Sequence, residues 1–284
     1  MIDYDREAAS YDDTRGGPER AAAVASAVLS LLKPTPAPSL PPRLSSSALP
    51  LPPRLSSSAP SLSPRSSSSA PGGVAPTSGD TLLDVACGTG IVTALLSSGR
   101  SVLGVDRSAG MLSVAATRLR GRVLLGDATR LPLASGSVGT VLMVWLLHLL
   151  PASEPALEEA VRVLRPGGLV ITTVDKNSAY FAAPSDLAEA TAAWRIRPEA
   201  TDRFDLVAGF LAGRGLKPAG ESAFPGIGQG RSPRWWREVV RAGGVSWARS
   251  DPDGVDRALA RLPDQDRARP EPVYRLAAFS AGSS

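Results

Sequence analysis

The chain reads as an α/β protein built on a doubly wound, mostly parallel seven-stranded sheet with helices on both faces. Three observations predict this. From Thr81 onward, short apolar runs alternate strictly with segments of helical spacing. The first of these runs ends in a glycine-containing turn, and the first three runs each carry an aspartate at or near their ends (Asp84, Asp106 and Asp127). Strict alternation implies parallel strands joined by right-handed crossovers.

The elements follow in order. Residues 18–33 open with Pro18 and Glu19, then place Val24, Val28, Leu31 and Leu32 on one face, the pattern of an amphipathic leading helix. Next come three tandem copies of an eleven-residue unit, at 41–51, 52–62 and 63–73, dominated by Pro and Ser. Pro in every copy excludes a helix, and the polar units offer little to a core, so residues 34–78 are expected to be a disordered insertion. A docking segment for a proline-recognising partner is the alternative.

TLLDVA (81–86) is the first strand, IVTALLSS (91–98) a helix, SVLGVD (101–106) the second strand and AGMLSVAATRLRG (109–121) a helix. RVLLGDA (122–128) and VGTVLMVWLL (138–147) are strands, EPALEEAVRVLR (154–165) a helix and GLVITTVD (168–175) the fifth strand. A helix over 202–215, a strand over 216–224, a helix over 233–241 and a last strand over 273–280 complete the pattern. Three segments result: an N-terminal cover with its helix (1–33), the insertion (34–78), and the strand-and-helix domain over 79–284.

Composition narrows the function. Of 284 residues 43% are apolar, enough for a sizeable core. The 31 basic and 27 acidic side chains nearly cancel, to +4, and the arginines are spread rather than clustered with aromatics, so no nucleic-acid partner is expected. One cysteine, Cys87, leaves no intramolecular disulfide and no cysteine-clustered metal site. Acids at the N-terminus (Asp3, Asp5, Glu7) are unlike a secretory signal, and no apolar run reaches spanning length; the expected location is cytoplasmic, away from membranes. Nothing in the sequence fixes an oligomeric state.

In an open parallel sheet the ligand sits beyond the carboxyl ends of the strands, where strand order reverses. Asp84-Val85-Ala86-Cys87-Gly88-Thr89-Gly90 stands at the end of the first strand, a tight turn opening a helix whose N-terminus favours an anion. Asp106 ends the second strand, suited to accept hydrogen bonds from both hydroxyls of a ribose. Gly126-Asp127-Ala128 ends the third, beside the expected place of an adenine; the alternative is that Asp127 caps the following turn. His148, the only histidine, follows the fourth strand and is a candidate general base, or else a packed residue of a short helix. Asp175 and Lys176 end the fifth strand and are substrate-contact candidates. Arg231, in GIGQGRSPRWW (226–236), is a candidate for an acidic substrate group, with Trp235 or Trp236 as a pocket wall or as inward packing.

DVACGTG (84–90), GVDRSAGML (104–112), GDATRLP (126–132), VWLLHLL (144–150) and RVLRPGGLV (162–170) together resemble the class I S-adenosylmethionine-dependent methyltransferases, in particular the small-molecule branch similar to quinone-ring methyltransferases. YDREAASYDDTRGG (4–17) resembles that family's N-terminal cover. The resemblance implies that S-adenosylmethionine is the cofactor and a small molecule the methyl acceptor. It further implies that Asp84 and the backbone around Ala86, Gly88 and Gly90 hold the methionine part, Asp106 the ribose, and Met111 the adenine face. Asp127 and Ala128 are implied to read the adenine edge and Tyr11 to cap the methionine end. Ala86 departs from the pattern, standing where many relatives have glycine. A catalytically silent adenosylmethionine-binding regulator stays open as an alternative. So does a nicotinamide-dependent oxidoreductase, although Thr93 stands where its third glycine belongs.

Overall fold

The structure, a computed structural model, describes residues 4–32, 81–195 and 200–282. The Pro/Ser repeats and the insertion boundaries at 34 and 78 therefore lie outside the described residues. Two short helices, α1 (Tyr4–Glu7) and α2 (Tyr11–Thr14), precede α3 (Gly17–Leu32). The sheet region then runs β1 (Leu82–Val85), α4 (Ile91–Leu96), β2 (Val102–Asp106), α5 (Ala109–Arg118), β3 (Val123–Leu125), β4 (Val138–Met143), α6 (Glu154–Val163) and β5 (Leu164–Val174). The remainder runs α7 (Asp186–Thr191), α8 (Phe204–Ala212), β6 (Leu216–Pro225), α9 (Pro233–Arg241), α10 (Pro252–Ala260) and β7 (Val273–Ala281).

The seven strands lie in the order β3-β2-β1-β4-β5-β7-β6. The first five are parallel, and β7 runs antiparallel to both β5 and β6. The chain winds outward on one side through β2 and β3, then returns to start β4 beside β1. That reversal opens the crevice that the sheet rule anticipates.

Successive strand residues point to opposite faces, and the core divides accordingly. Leu83, Val141, Met143 and Val170 pack with Leu157 and Val163 of α6 and Val207 and Leu211 of α8. Their neighbours Leu82, Leu142 and Ile171 pack on the other face with Val24 and Val28 of α3 and Leu112 and Ala115 of α5. Val24 and Val28 are completely buried, at about 1.5–3 kcal/mol each.

Several elements differ from the sequence pattern. β4 stops at Met143 rather than running to 147, because Trp145 takes a left-handed conformation (φ 56°) and the chain turns into a single 3-10 turn, Leu147–Leu149. β5 begins at Leu164, so the Arg-Pro-Gly-Gly stretch is strand rather than the end of α6. The 252–260 segment is helical, with the Asp251 side chain accepting the Gly254 N–H at the N-cap and Pro at the first turn.

Candidate active site

The site is assembled from strand ends. β1 delivers Asp84, 4% exposed, whose Oδ2 accepts the Thr93 hydroxyl at 2.5 Å. Burial pushes this carboxyl up to about 7, with the Thr93 hydrogen bond opposing the rise and the charge of Asp106 adding to it. The chain then turns through Ala86 (φ 63°), Gly88 (φ 54°) and Gly90 (φ 72°). A side chain on Gly90 would stand 3.1 Å from the Ala115 Cβ, which explains a glycine at the point where α4 packs on α5. Ala86 adopts a left-handed conformation that costs a non-glycine residue about 1–2 kcal/mol, so it occupies a glycine position without glycine's freedom.

β2 delivers Asp106, 8% exposed. Its Oδ2 accepts the Gly88 N–H at 2.8 Å and its Oδ1 the Ser108 N–H at 2.9 Å. Each oxygen accepts one backbone donor and keeps a lone pair, in a carboxylate that lines the cleft. Met111 is buried on α5, whose N-cap is the Ser108 side chain, and it lines the same cleft.

The N-terminal segment closes this end of the sheet. Asp5 accepts the Ser108 hydroxyl at 2.6 Å and the Gly110 N–H at 2.8 Å, a carboxylate at a helix N-terminus. Asp12 accepts the Thr89 hydroxyl at 2.6 Å and pairs with Arg118 at 2.7 Å. These contacts hold the rings of Tyr4 and Tyr11, centroids 6.1 Å apart, at the cleft, and burial raises both phenols.

From α3 comes Arg20, 8% exposed, its guanidinium 4.7 Å from the Trp145 ring centroid. Trp145 in turn lies edge-on to Phe224 and Tyr274, at 5.4 and 5.6 Å. Among the described residues no carboxylate forms an ion pair with Arg20. A buried cation on a cleft wall with no acid paired to it can accept an anion.

The resulting cleft has a volume of about 380 Å³. It brings together Tyr11, Asp84, Ala86, Gly88, Asp106 and Met111 of the residues singled out from sequence. The other candidates lie elsewhere. Gly90 begins α4 behind the turn. Asp127 is exposed and its Oδ1 accepts the Thr129 N–H and hydroxyl, both at 2.8 Å, capping its own turn, while Ala128 packs against the core under it. His148 sits half-buried in the 3-10 turn, flanked by the cleft-lining Leu146, Leu149 and Leu150, and is not itself part of the lining. Burial, helped by the charge of Lys176, lowers its pKa to about 3. Asp175 pairs with Arg275 at 2.8 Å and lines a second cavity. Lys176 is held by its own N–H, which donates to Asp202, and burial lowers its ammonium pKa. Arg231 directs its guanidinium at the Gly228 and Gly230 carbonyls, 3.0 and 3.1 Å away, and lies 5.1 Å over the Trp235 ring. Trp236 is buried and Trp235 exposed.

Sequence reasoning missed Tyr4, Arg20 and Trp145. Arg20 carried a signal: it precedes Val24 and Val28 at four-residue spacing, a charge set in the apolar stripe of a helix. Trp145 fell inside the strand read over 138–147, and only the observed end of β4 at Met143 puts it beyond a strand end, where the sheet rule places ligand contacts.

Residues 83–172 match a protein family described as methyltransferase domain. The chain is 39% identical over 103 residues to a demethylmenaquinone methyltransferase from Clavibacter sepedonicus, covering 34% of this chain and 42% of that protein. It is 36% identical over 113 residues to a ubiquinone/menaquinone biosynthesis C-methyltransferase from Rubrivivax gelatinosus, covering 39% of this chain and 45% of that protein. The chain thus spans less than half the length of the curated relatives it matches. A candidate methyltransferase from Bacillus halodurans has the same fold, with a TM-score of 0.51 and 17% identity over 74% of this chain and 96% of that one. The resemblance to class I methyltransferases and the α/β fold read from the sequence are both borne out, and the matched region holds the strand ends that carry Asp84 and Asp106. No helix among the described residues is long and apolar enough to cross a membrane.

Proposed function

We propose that the protein transfers a methyl group from S-adenosylmethionine to a small-molecule acceptor. One observation supports this above the rest: the cleft presents charges complementary to an amino acid joined to a nucleoside. Asp84 is a buried acid whose pKa has risen for want of a cation, and Arg20 is a buried cation without an acid. They would hold the ammonium and carboxylate of the methionine part. Asp106, with a lone pair left on each oxygen, would hold the ribose, and Met111 would pack on the adenine. Asp127 and Ala128, assigned to the adenine edge by resemblance, have no cleft contact to support that role.

When bound, S-adenosylmethionine supplies a methyl group on a sulfonium, an activated leaving group. The chain's own residues then have to orient and to exclude water. Asp84, Arg20 and Asp106 fix one reactant by both ends, which converts encounter into alignment. Tyr4 and Tyr11, clamped through Asp5 and Asp12, cover the cleft. Trp145, Leu146, Leu149 and Leu150 give it an apolar side against which an acceptor ring can lie. His148 is neutral at physiological pH, but a base with a pKa of about 3 takes a proton weakly, so alignment rather than base catalysis carries the rate in this reading.

Incubation of the protein with methyl-labelled S-adenosylmethionine and a small-molecule extract tests the proposal; demethylmenaquinone, the compound in the relatives' names, is the first pure acceptor to try. Label in a small molecule, absent with Asp106→Ala, supports it. Tight cofactor binding without transfer to any acceptor favours the silent regulator.

A further inference from the structure

Past β5 the chain leaves the sheet at Asp175 and forms a 3-10 turn over Lys176–Phe181. A second cavity of about 380 Å³ opens beside this turn, with Phe181, Arg195, Asp202, Arg203 and Trp247 in its wall. It shares no lining residue with the first cleft.

Some charges in this cavity are neutralised in place. Asp175 pairs with Arg275, and Arg203 pairs with Asp205. Asp202 is different. It is 1% exposed, its Oδ2 accepts the Lys176 N–H at 2.8 Å, and among the described residues its Oδ1 accepts no hydrogen bond. A buried carboxylate oxygen without a donor is destabilising unless something supplies one, and the cavity beside it has room for more than a water.

The surroundings define what can supply the donor. Arg195 lines the cavity and the charge of Lys176 already acts on Asp202, so a further cation meets repulsion. A neutral hydroxyl donates without that penalty. Phe181 and Trp247 stand edge to face with centroids 5.6 Å apart, and the Arg195 guanidinium lies 4.4 Å over the Phe181 ring. Trp247 also packs against Trp236, centroids 6.0 Å apart, and the part of its indole that lines the cavity is the wall for a ring.

We propose that this cavity is a binding site for a neutral ring compound carrying a hydroxyl group, the hydroxyl donated to Asp202 Oδ1 and the ring resting against Trp247. Sugars and phenols both present this chemistry. The proposal does not depend on methyl transfer.

The test is titration of the full chain with methyl glucoside and, separately, catechol, followed by the NMR signals of the tryptophan indoles, with S-adenosylhomocysteine present throughout. One of the two probes is expected to saturate and to shift an indole signal that is missing in Trp247→Phe. Asp202→Asn presents an amide group in place of the unpartnered oxygen and should weaken binding by about tenfold or more. Trp247→Ala leaves the Asp202 bond to Lys176 intact and should also weaken it, so the test survives if the Asn variant does not fold. Failure of both probes to saturate overturns the proposal, as does unchanged binding by either variant.

Discussion

The Gly88 N–H donates to Asp106 Oδ2 at 2.8 Å, so the glycine turn after β1 is tied to the end of β2 by a carboxylate that also lines the cleft. Loss of this carboxylate therefore has two effects. Asp106→Ala should weaken S-adenosylhomocysteine binding more than tenfold and should also lower stability by about 1–3 kcal/mol, since the Gly88 and Ser108 donors lose their acceptor. Asp106→Asn keeps one carbonyl oxygen and should fall between wild type and Ala in both. Calorimetric titration and thermal melting measure the two effects separately; an Ala variant with unchanged affinity contradicts the ribose assignment.

The turn itself separates two glycine positions. Gly90→Ala must hold φ 72° with its Cβ 3.1 Å from Ala115, and a loss of about 1–3 kcal/mol is expected. Ala86→Gly removes left-handed strain but adds freedom to the unfolded chain, and these effects offset to within about 1 kcal/mol. Denaturant unfolding of both variants checks the contrast. An Ala86→Gly variant as damaged as Gly90→Ala would mean that the Ala86 methyl packs rather than strains.

Asp84 gives the cleft a pH dependence. Its carboxyl sits at about 7 against 3.8 for an ordinary aspartate, so between these values the folded state holds the extra proton. This group's contribution to stability accordingly declines as pH rises from about 4 to about 7. Ligand binding has the opposite sign: an ammonium needs the ionised form, so affinity should fall by about tenfold per pH unit below 7 as the carboxyl protonates. Calorimetry across pH 5–8 measures this, and Asp84→Asn should bind weakly with no such slope. A flat profile in the wild type contradicts the pairing of Asp84 with the ammonium.

Most of the sheet was legible because its strands are apolar runs punctuated by glycine and aspartate, and three of those punctuation marks, Asp84, Gly88 and Asp106, line the cleft. Asp84 and Asp106 follow from strand ends alone. Less local features were harder to read. Arg20 acts through tertiary placement of α3, and only its position within an apolar stripe betrays it. Asp127 had two readings in the sequence, and the hydrogen bonds to Thr129 realise the turn cap. The α10 helix was signalled by Asp251-Pro252 with Val255 and Leu259 four residues apart, a cap and a stripe too short to stand out.

His148 carries a further expectation. Because its pKa lies at about 3 and its ring is outside the cleft lining, His148→Ala should lower kcat by less than about tenfold and leave cofactor affinity unchanged. Steady-state kinetics with the identified acceptor decides it; a hundredfold loss in kcat with unchanged cofactor binding would restore the imidazole as the base.

Deletion of residues 35–76 with a short flexible join should barely alter folding or cofactor affinity, since the entropy of loop closure grows slowly with length. Comparison of melting temperatures tests this reading of the Pro/Ser repeats as an unpacked insertion. A fall of many degrees would mean that the repeats pack on the domain.

The cofactor assignment of the cleft is tested most directly by isothermal titration of the purified protein with S-adenosylhomocysteine and, in parallel, with NAD and NADP. Asp84, Arg20 and Asp106 predict saturable single-site heat with S-adenosylhomocysteine and none with either dinucleotide. Saturable heat with a nicotinamide cofactor and none with S-adenosylhomocysteine would contradict it.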